Sequence, residues 1–223
     1  MAVFEKSERI RHIGHLDLMR ATQRALRRSG LPIGYSKGFT PHVQVAFASA
    51  LSTGAVGLRE IMDVQMAEGA VLTAEEFKQA MNRALPPEMQ ISEAKLMDDR
   101  HPGLMGMVQA AEYNLMLRDE TAAQKMIEAI PAFLEQETIM AMRKTKSGIK
   151  EVDIRPSVFE VSGSGCCIHA LLKLTERESC KPDMLMAALS AFCGLEEAPY
   201  ARVIRLGLYG EDASGKLTHL EEM

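Results

Sequence analysis

Four arginines, Arg20, Arg24, Arg27 and Arg28, stand at i, i+4, i+7 and i+8 in one short stretch of this 223-residue sequence. On a helix those positions share a face. Each guanidinium is a planar fork that fits two phosphate oxygens at once. A turn-rich segment follows, Tyr35-Ser36-Lys37-Gly38-Phe39-Thr40-Pro41-His42. Tyr35 and Phe39 offer rings on which a base can stack, and Lys37 adds a cation. Cations interleaved with aromatics suit single-stranded or structured RNA. The candidate ligand-binding set is therefore Arg20, Arg24, Arg27, Arg28, Tyr35, Lys37, Phe39 and His42. A second basic group, Arg143, Lys144, Lys146 and Lys150, adds Arg143 and Lys144 to it. The plainer reading is a solvated helix face, with both rings tucked into the core and the second group on a solvated hairpin.

A second constellation is His12, His15, Asp17 and His42. Histidines with a carboxylate suit a metal or an acid–base pair, so Asp17, His15 and His42 are the catalytic candidates. Their spacing is no recognised metal motif, and each residue also has an ordinary structural use. Asp153 and Arg155 sit two apart on one strand face, placed to pair with each other or to line a cleft. No P-loop, G-x-G-x-x-G, G-x-S-x-G or H-E-x-x-H occurs, which argues against the chemistries those motifs carry. Cys166, Cys167, Cys180 and Cys193 form no C-x-x-C pair and read as reduced thiols. Neither a metal site nor a bound cofactor is expected.

Residues 6–42 hold eight basic and two acidic side chains, a local charge of +6, so against a total of −4 the other residues sum to −10. Such asymmetry points to an anionic partner better than the total does. No apolar run of about 18 residues exists to cross a membrane, and the N-terminal residues lack a signal-peptide core. A cytoplasmic protein with no membrane partner is expected.

These residues must be held by some frame. Apolar period and caps predict a strand over 3–11, a helix over 15–28, strands over 43–48 and 60–66, a helix over 74–85 and a strand over 89–97. Thr73 and Glu76 form a capping box at the second helix. That order is β-α-β-β-α-β, the ferredoxin-like arrangement. After a linker the pattern repeats with one extra strand. Strands are predicted over 113–118, 139–144, 152–161, 167–174 and 201–209, and helices over 120–135 and 182–192, with Pro131 breaking the first helix early. Gly163-Ser164-Gly165 should be a hairpin turn. Met62, Met66, Met81, Met89 and Met97 recur like core residues. The expected fold is α+β: two tandem ferredoxin-like halves, 1–98 and 112–212, antiparallel sheets with helices on one face, a linker at 99–111 and a flexible tail at 213–223.

Four blocks carry a family resemblance: His15-Leu16-Asp17-Leu18-Met19-Arg20, Arg24 through Pro32, Tyr35 through His42, and Glu60-Ile61-Met62-Asp63. Lys150 through Pro156 adds to it. Together they resemble the radical-SAM-linked protein family, a domain of unknown function found alone or at the C-terminal end of radical-SAM proteins. The sequence departs from the family at Val43 and Gln44, where a second proline and a basic residue often stand. The resemblance implies a radical-SAM protein as partner. Radical-SAM chemistry needs three clustered cysteines for its iron–sulfur cluster, and this chain does not have them. The expectation is an accessory module that binds RNA or another phosphate ligand and has no catalysis of its own. The alternatives are an RNA-modifying enzyme of pseudouridine-synthase-like architecture, using Asp17, Asp63 or Asp153 in a cleft, and a module for protein interaction alone.

Overall fold

The structure, a computed structural model, describes residues 1–98, 101–145 and 148–223. Asp99 and Arg100 of the expected linker, and Lys146 and Ser147 of the second basic group and its turn, lie outside the described residues. The fold is α+β, with five α-helices among the described residues. The chain divides into two units, Met1–Val108 with Gly207–Met223, and Gln109–Leu206.

In the first unit, β1 (Ala2–Lys6) is followed by a 3-10 turn at Glu8–Ile10. The strand expected over 3–11 is cut short there. Helix α1 spans His15–Arg28. Leu18, Thr22, Ala25 and Leu26 are its buried residues, one stripe of a 3.6-residue period. Thr22 is tolerated inside because its hydroxyl donates to the Leu18 carbonyl at 3.0 Å. Asp17 in the first turn and Arg27 and Arg28 in the last complement the helix dipole. Gly30, at φ +74°, turns the chain away.

Strand β2 (Val45–Phe47) and strand β3 (Val56–Val64) are antiparallel, Val45 facing Val64. Helix α2 (Ala74–Ala84) starts at the Thr73–Glu76 capping box, with both reciprocal bonds present. Strand β4 (Ile91–Ala94) is clamped to it by the Asn82 amide, which donates to the Ile91 carbonyl at 2.9 Å and accepts its N–H at 2.8 Å. Strand β1 lies between β4 and β3, antiparallel to both. Phe4, Leu26, Met62 and Met81, none more than 2% exposed, meet in one core. Each such side chain contributes about 1.5–3 kcal/mol by leaving water.

Helix α3 (Leu104–Met107) opens where a plain linker was expected. In the second unit, β5 (Ala110–Leu117) alternates buried and half-buried residues from Ala111 onward, and α4 (Glu120–Leu134) follows. Pro131 does not end α4. It is exposed in the last turn, while Ile130 and Phe133 anchor that turn in the core. Strands β6 (Met140–Thr145) and β7 (Gly148–Asp153) form a separate two-stranded sheet. The single strand expected over 152–161 is in fact β7, a 3-10 turn at Arg155–Ser157, and β8 (Val158–Ser164). Pro156 has no N–H to give a ladder, and Asp153 turns the chain by accepting from the Ile139 and Arg155 N–H groups, both at 2.9 Å. Arg155 donates to the carbonyls of Leu134 and Val158.

Strand β9 (Cys167–Lys173) pairs with both β5 and β8. The turn before it is Gly165-Cys166, with Gly165 at φ +59°. Gly163 lies two residues earlier for a different reason: a Cβ there would meet the Ile127 side chain of α4 at 2.5 Å. Helices α4 and α5 (Pro182–Phe192) pack on each other, and α4 also packs on β5, β8 and β9. Strand β10 (Ala201–Glu211) then carries the chain back to the first unit. The tail expected to be flexible instead forms β11 (Leu217–His219), antiparallel to β10, and buries Leu220 at 1% exposure.

Candidate ligand-binding surface of the first unit

Helix α1 turns Arg20, Arg24, Arg27 and Arg28 to solvent, because its opposite stripe is taken by the core. The four are not equivalent. Arg20 donates to Asp17 at 2.9 Å, an i, i+3 pair with both side chains about two-thirds exposed; such pairs contribute only a few tenths of a kcal/mol. Arg28 reaches across to the Ala84 carbonyl at 2.9 Å, at the C-terminal end of α2, where a cation is favoured. Arg24 and Arg27 make no hydrogen bond or ion pair among the described residues. The expected cluster of four is thus two unengaged forks flanked by two that are occupied.

The segment 35–43 is a narrow turn. Tyr35 bridges Val43 in antiparallel fashion, and the Ser36 N–H donates to the His42 carbonyl at 2.9 Å. The Ser36 hydroxyl accepts the His42 N–H at 3.1 Å and stands 3.0 Å from its Nδ1. Gly38, at φ +131°, supplies the tip. Lys37 is exposed, Tyr35 is 47% exposed and Phe39 is wholly in solvent. Both rings were alternatively expected in the core; the structure places them outside it.

The residues of the acid–base constellation have separate partners. His15 sets its ring edge-on to Phe47, 5.6 Å between centroids. Asp17 holds Arg20, His42 faces Ser36, and His12 is exposed. Among the described residues, no three His, Cys, Asp or Glu side chains stand together to hold a metal. Of the three aspartates considered, Asp153 is a turn residue, as above, and Asp63 lies 3.7 Å from the Met1 amine. Three of the four thiols are poorly placed as nucleophiles: burial pushes Cys180 up to about 12 and raises Cys167 and Cys193 as well, where the reactive thiolate is scarce.

Arg143 and Lys144 belong to the second unit, on β6. The Arg143 guanidinium donates to the Ser179 carbonyl at 2.8 Å, and Lys144 is exposed. Lys150, also exposed, is the cross-strand partner of Arg143, so two cations stand side by side.

One feature of the first unit has no counterpart in the sequence pattern. A cleft of about 720 Å³ opens beside Tyr35 and Lys37, with Gln44, Gln65 and Glu68 also lining it. These residues come from three separate segments. Tyr35 and Lys37 are candidates from the sequence and Gln44 is a departure from the family, but nothing in the sequence joins them to Gln65 and Glu68. No helix among the described residues is long and apolar enough to cross a membrane.

A search of curated proteins returned no match to the chain. Residues 1–182, which contain all four blocks noted above, match the family described as "Uncharacterized protein conserved in bacteria (DUF2344)", and the chain belongs to that family.

Proposed function

We propose that this protein is a cytoplasmic accessory module that binds RNA through the first unit and works beside a radical-SAM enzyme, with no catalysis of its own. The observation that carries the reading is the pair Arg24 and Arg27, exposed and unengaged among the described residues, in the same unit as the exposed Tyr35, Lys37 and Phe39. Guanidinium forks hold phosphates, and exposed rings hold bases. The radical-SAM partner is supported by the four sequence blocks alone. We read both units as ferredoxin-like variants; in the first, the order β4-β1-β3 with β2 on β3 supports this. The enzyme alternative is the weaker reading: Asp17 and Asp153 accept hydrogen bonds from Arg20 and from backbone N–H groups, and Asp63, which lines a cavity of about 200 Å³, lies 3.7 Å from the Met1 amine.

Single-stranded RNA binding is tested by titration against salt. The logarithm of affinity should fall linearly with the logarithm of salt, and Arg24→Ala with Arg27→Ala should flatten that slope by about 0.7 per lost phosphate contact. Absence of binding at low salt defeats the reading. Co-purification from cells with a radical-SAM protein tests the partner separately.

A further inference from the structure

We infer that the cleft beside Tyr35 is a nucleobase pocket selective for guanine, the step at which the proposed RNA-binding reading, on which this rests, becomes specific. Its floor is main chain. Three segments exchange backbone hydrogen bonds there: Gly34 N–H to the Gln65 carbonyl at 2.7 Å, Gln44 N–H to the Gly34 carbonyl at 3.1 Å, and Gln65 N–H to the Gln44 carbonyl at 3.0 Å. Gly34 is buried and has no positive φ, so backbone conformation does not demand a glycine. Space does: a Cβ there would lie 3.0 Å from the Gln65 Cγ and from the Gln65 and Met66 carbonyls. The bare backbone leaves a depression, and Gln44 and Gln65 are exposed on either side of it.

The chemistry of the walls selects the occupant. The volume of about 720 Å³ lies within the ~300–1,000 Å³ usual for small-ligand sites. The half-exposed Tyr35 ring gives any base a stacking surface. A carboxylate only accepts hydrogen bonds, and Glu68 lines this cleft. Guanine alone among the RNA bases presents two adjacent donors, N1–H and the N2 amino group, on its pairing edge, with the O6 acceptor beside them. Glu68 matches the two donors, and the Gln44 amide N–H matches O6, since the Gln65 amide already donates to the Met66 carbonyl at 3.4 Å. Lys37, on the same cleft, is placed for a phosphate.

The test compares three nine-nucleotide RNAs: all uridine, and the same strand with a central guanosine or a central adenosine. Guanosine should tighten binding about tenfold over both others, as one good bidentate contact does. Tyr35→Ala and Gln44→Ala should remove that preference, and Glu68→Gln should erase the margin of guanosine over adenosine. Gln44→Ala and Glu68→Gln leave the all-uridine affinity and its salt slope unchanged, while Tyr35→Ala weakens every strand because it removes the stacking ring. These are exposed positions, so folding is retained, as circular dichroism will verify. Equal affinity for the three strands, with ordinary salt dependence, overturns the guanine pocket and leaves the RNA reading standing. Guanosine 5′-monophosphate is the separate probe. Its binding in the absence of any strand binding keeps the pocket and overturns the RNA reading; silence with every probe overturns both.

Discussion

Charge counted along residues 6–42 overstates the field that a ligand would meet. Lys6 is 1% exposed and donates to the Arg11 carbonyl at 2.8 Å. Arg11 pairs with Glu8 at 2.6 Å, Arg9 with Glu88 at 3.5 Å and Arg20 with Asp17. What remains for a partner is Arg24, Arg27 and Lys37, each exposed, with the charge of Arg28 beside them because its bond is to a neutral carbonyl, so the surface suits a few phosphates rather than a long duplex. The buried Cys180 makes a prediction at this scale. Its thiol is lifted from 9.0 to about 12 by desolvation, so the folded chain resists forming the thiolate more than the unfolded chain does. A raised value stabilises the fold fully below the unfolded pKa and loses that contribution as pH climbs through the folded one. Resistance to urea should therefore fall between pH 9 and 12 more in the wild type than in Cys180→Ala. A maleimide reagent at pH 8 should modify Cys180 only after unfolding.

At the scale of elements, the helix caps have direct consequences. The Glu76 carboxyl is held below its ordinary value of 4.5 by the Thr73 N–H and hydroxyl. A lowered carboxylate stabilises above its unfolded pKa and stops doing so as pH falls through the folded value. Thr73→Ala should lower the urea midpoint at pH 7, and the gap to wild type should narrow once the pH drops below 4.5. Where bonds are local, the sequence shows its element ends: those of α1 and α5 fall where period and caps put them, and α2 stops one residue sooner than expected. At β7 and β8, Pro156 and the Asp153 turn divide one alternating run into two strands that serve different sheets. Alternation states which residues share a face, not which ladder they join.

At the scale of the whole molecule, the first unit is built from both ends of the chain. Residues 207–223 belong with Met1–Val108. Arg59 ties β4 to the last residues by donating to Glu93 at 2.7 Å and to Glu221 at 2.6 Å, the latter only 5% exposed. Lys95 donates to the Met223 carbonyl at 2.9 Å. Deleting 213–223 should therefore destabilise the first unit by roughly 2–5 kcal/mol, the cost of removing one buried leucine such as Leu220, and lower its melting temperature. An unchanged melt would mean that this segment is not part of the unit's core.

What the sequence determined by itself is the set of local decisions. The arginines of α1 face solvent because Leu18, Ala25 and Leu26 claim the other stripe, and the Thr73 box starts α2. Each depends on bonds between residues three or four apart, so the determinants lie within a single turn of chain. The tertiary structure alone decided which charges are engaged, since Arg28 finds its partner at Ala84 and Arg59 finds one at Glu221. It also decided that Gly34, Gln44 and Gln65 meet at one cleft. Those contacts join residues 10 to 162 positions apart, and their closure depends on every element between them packing in place.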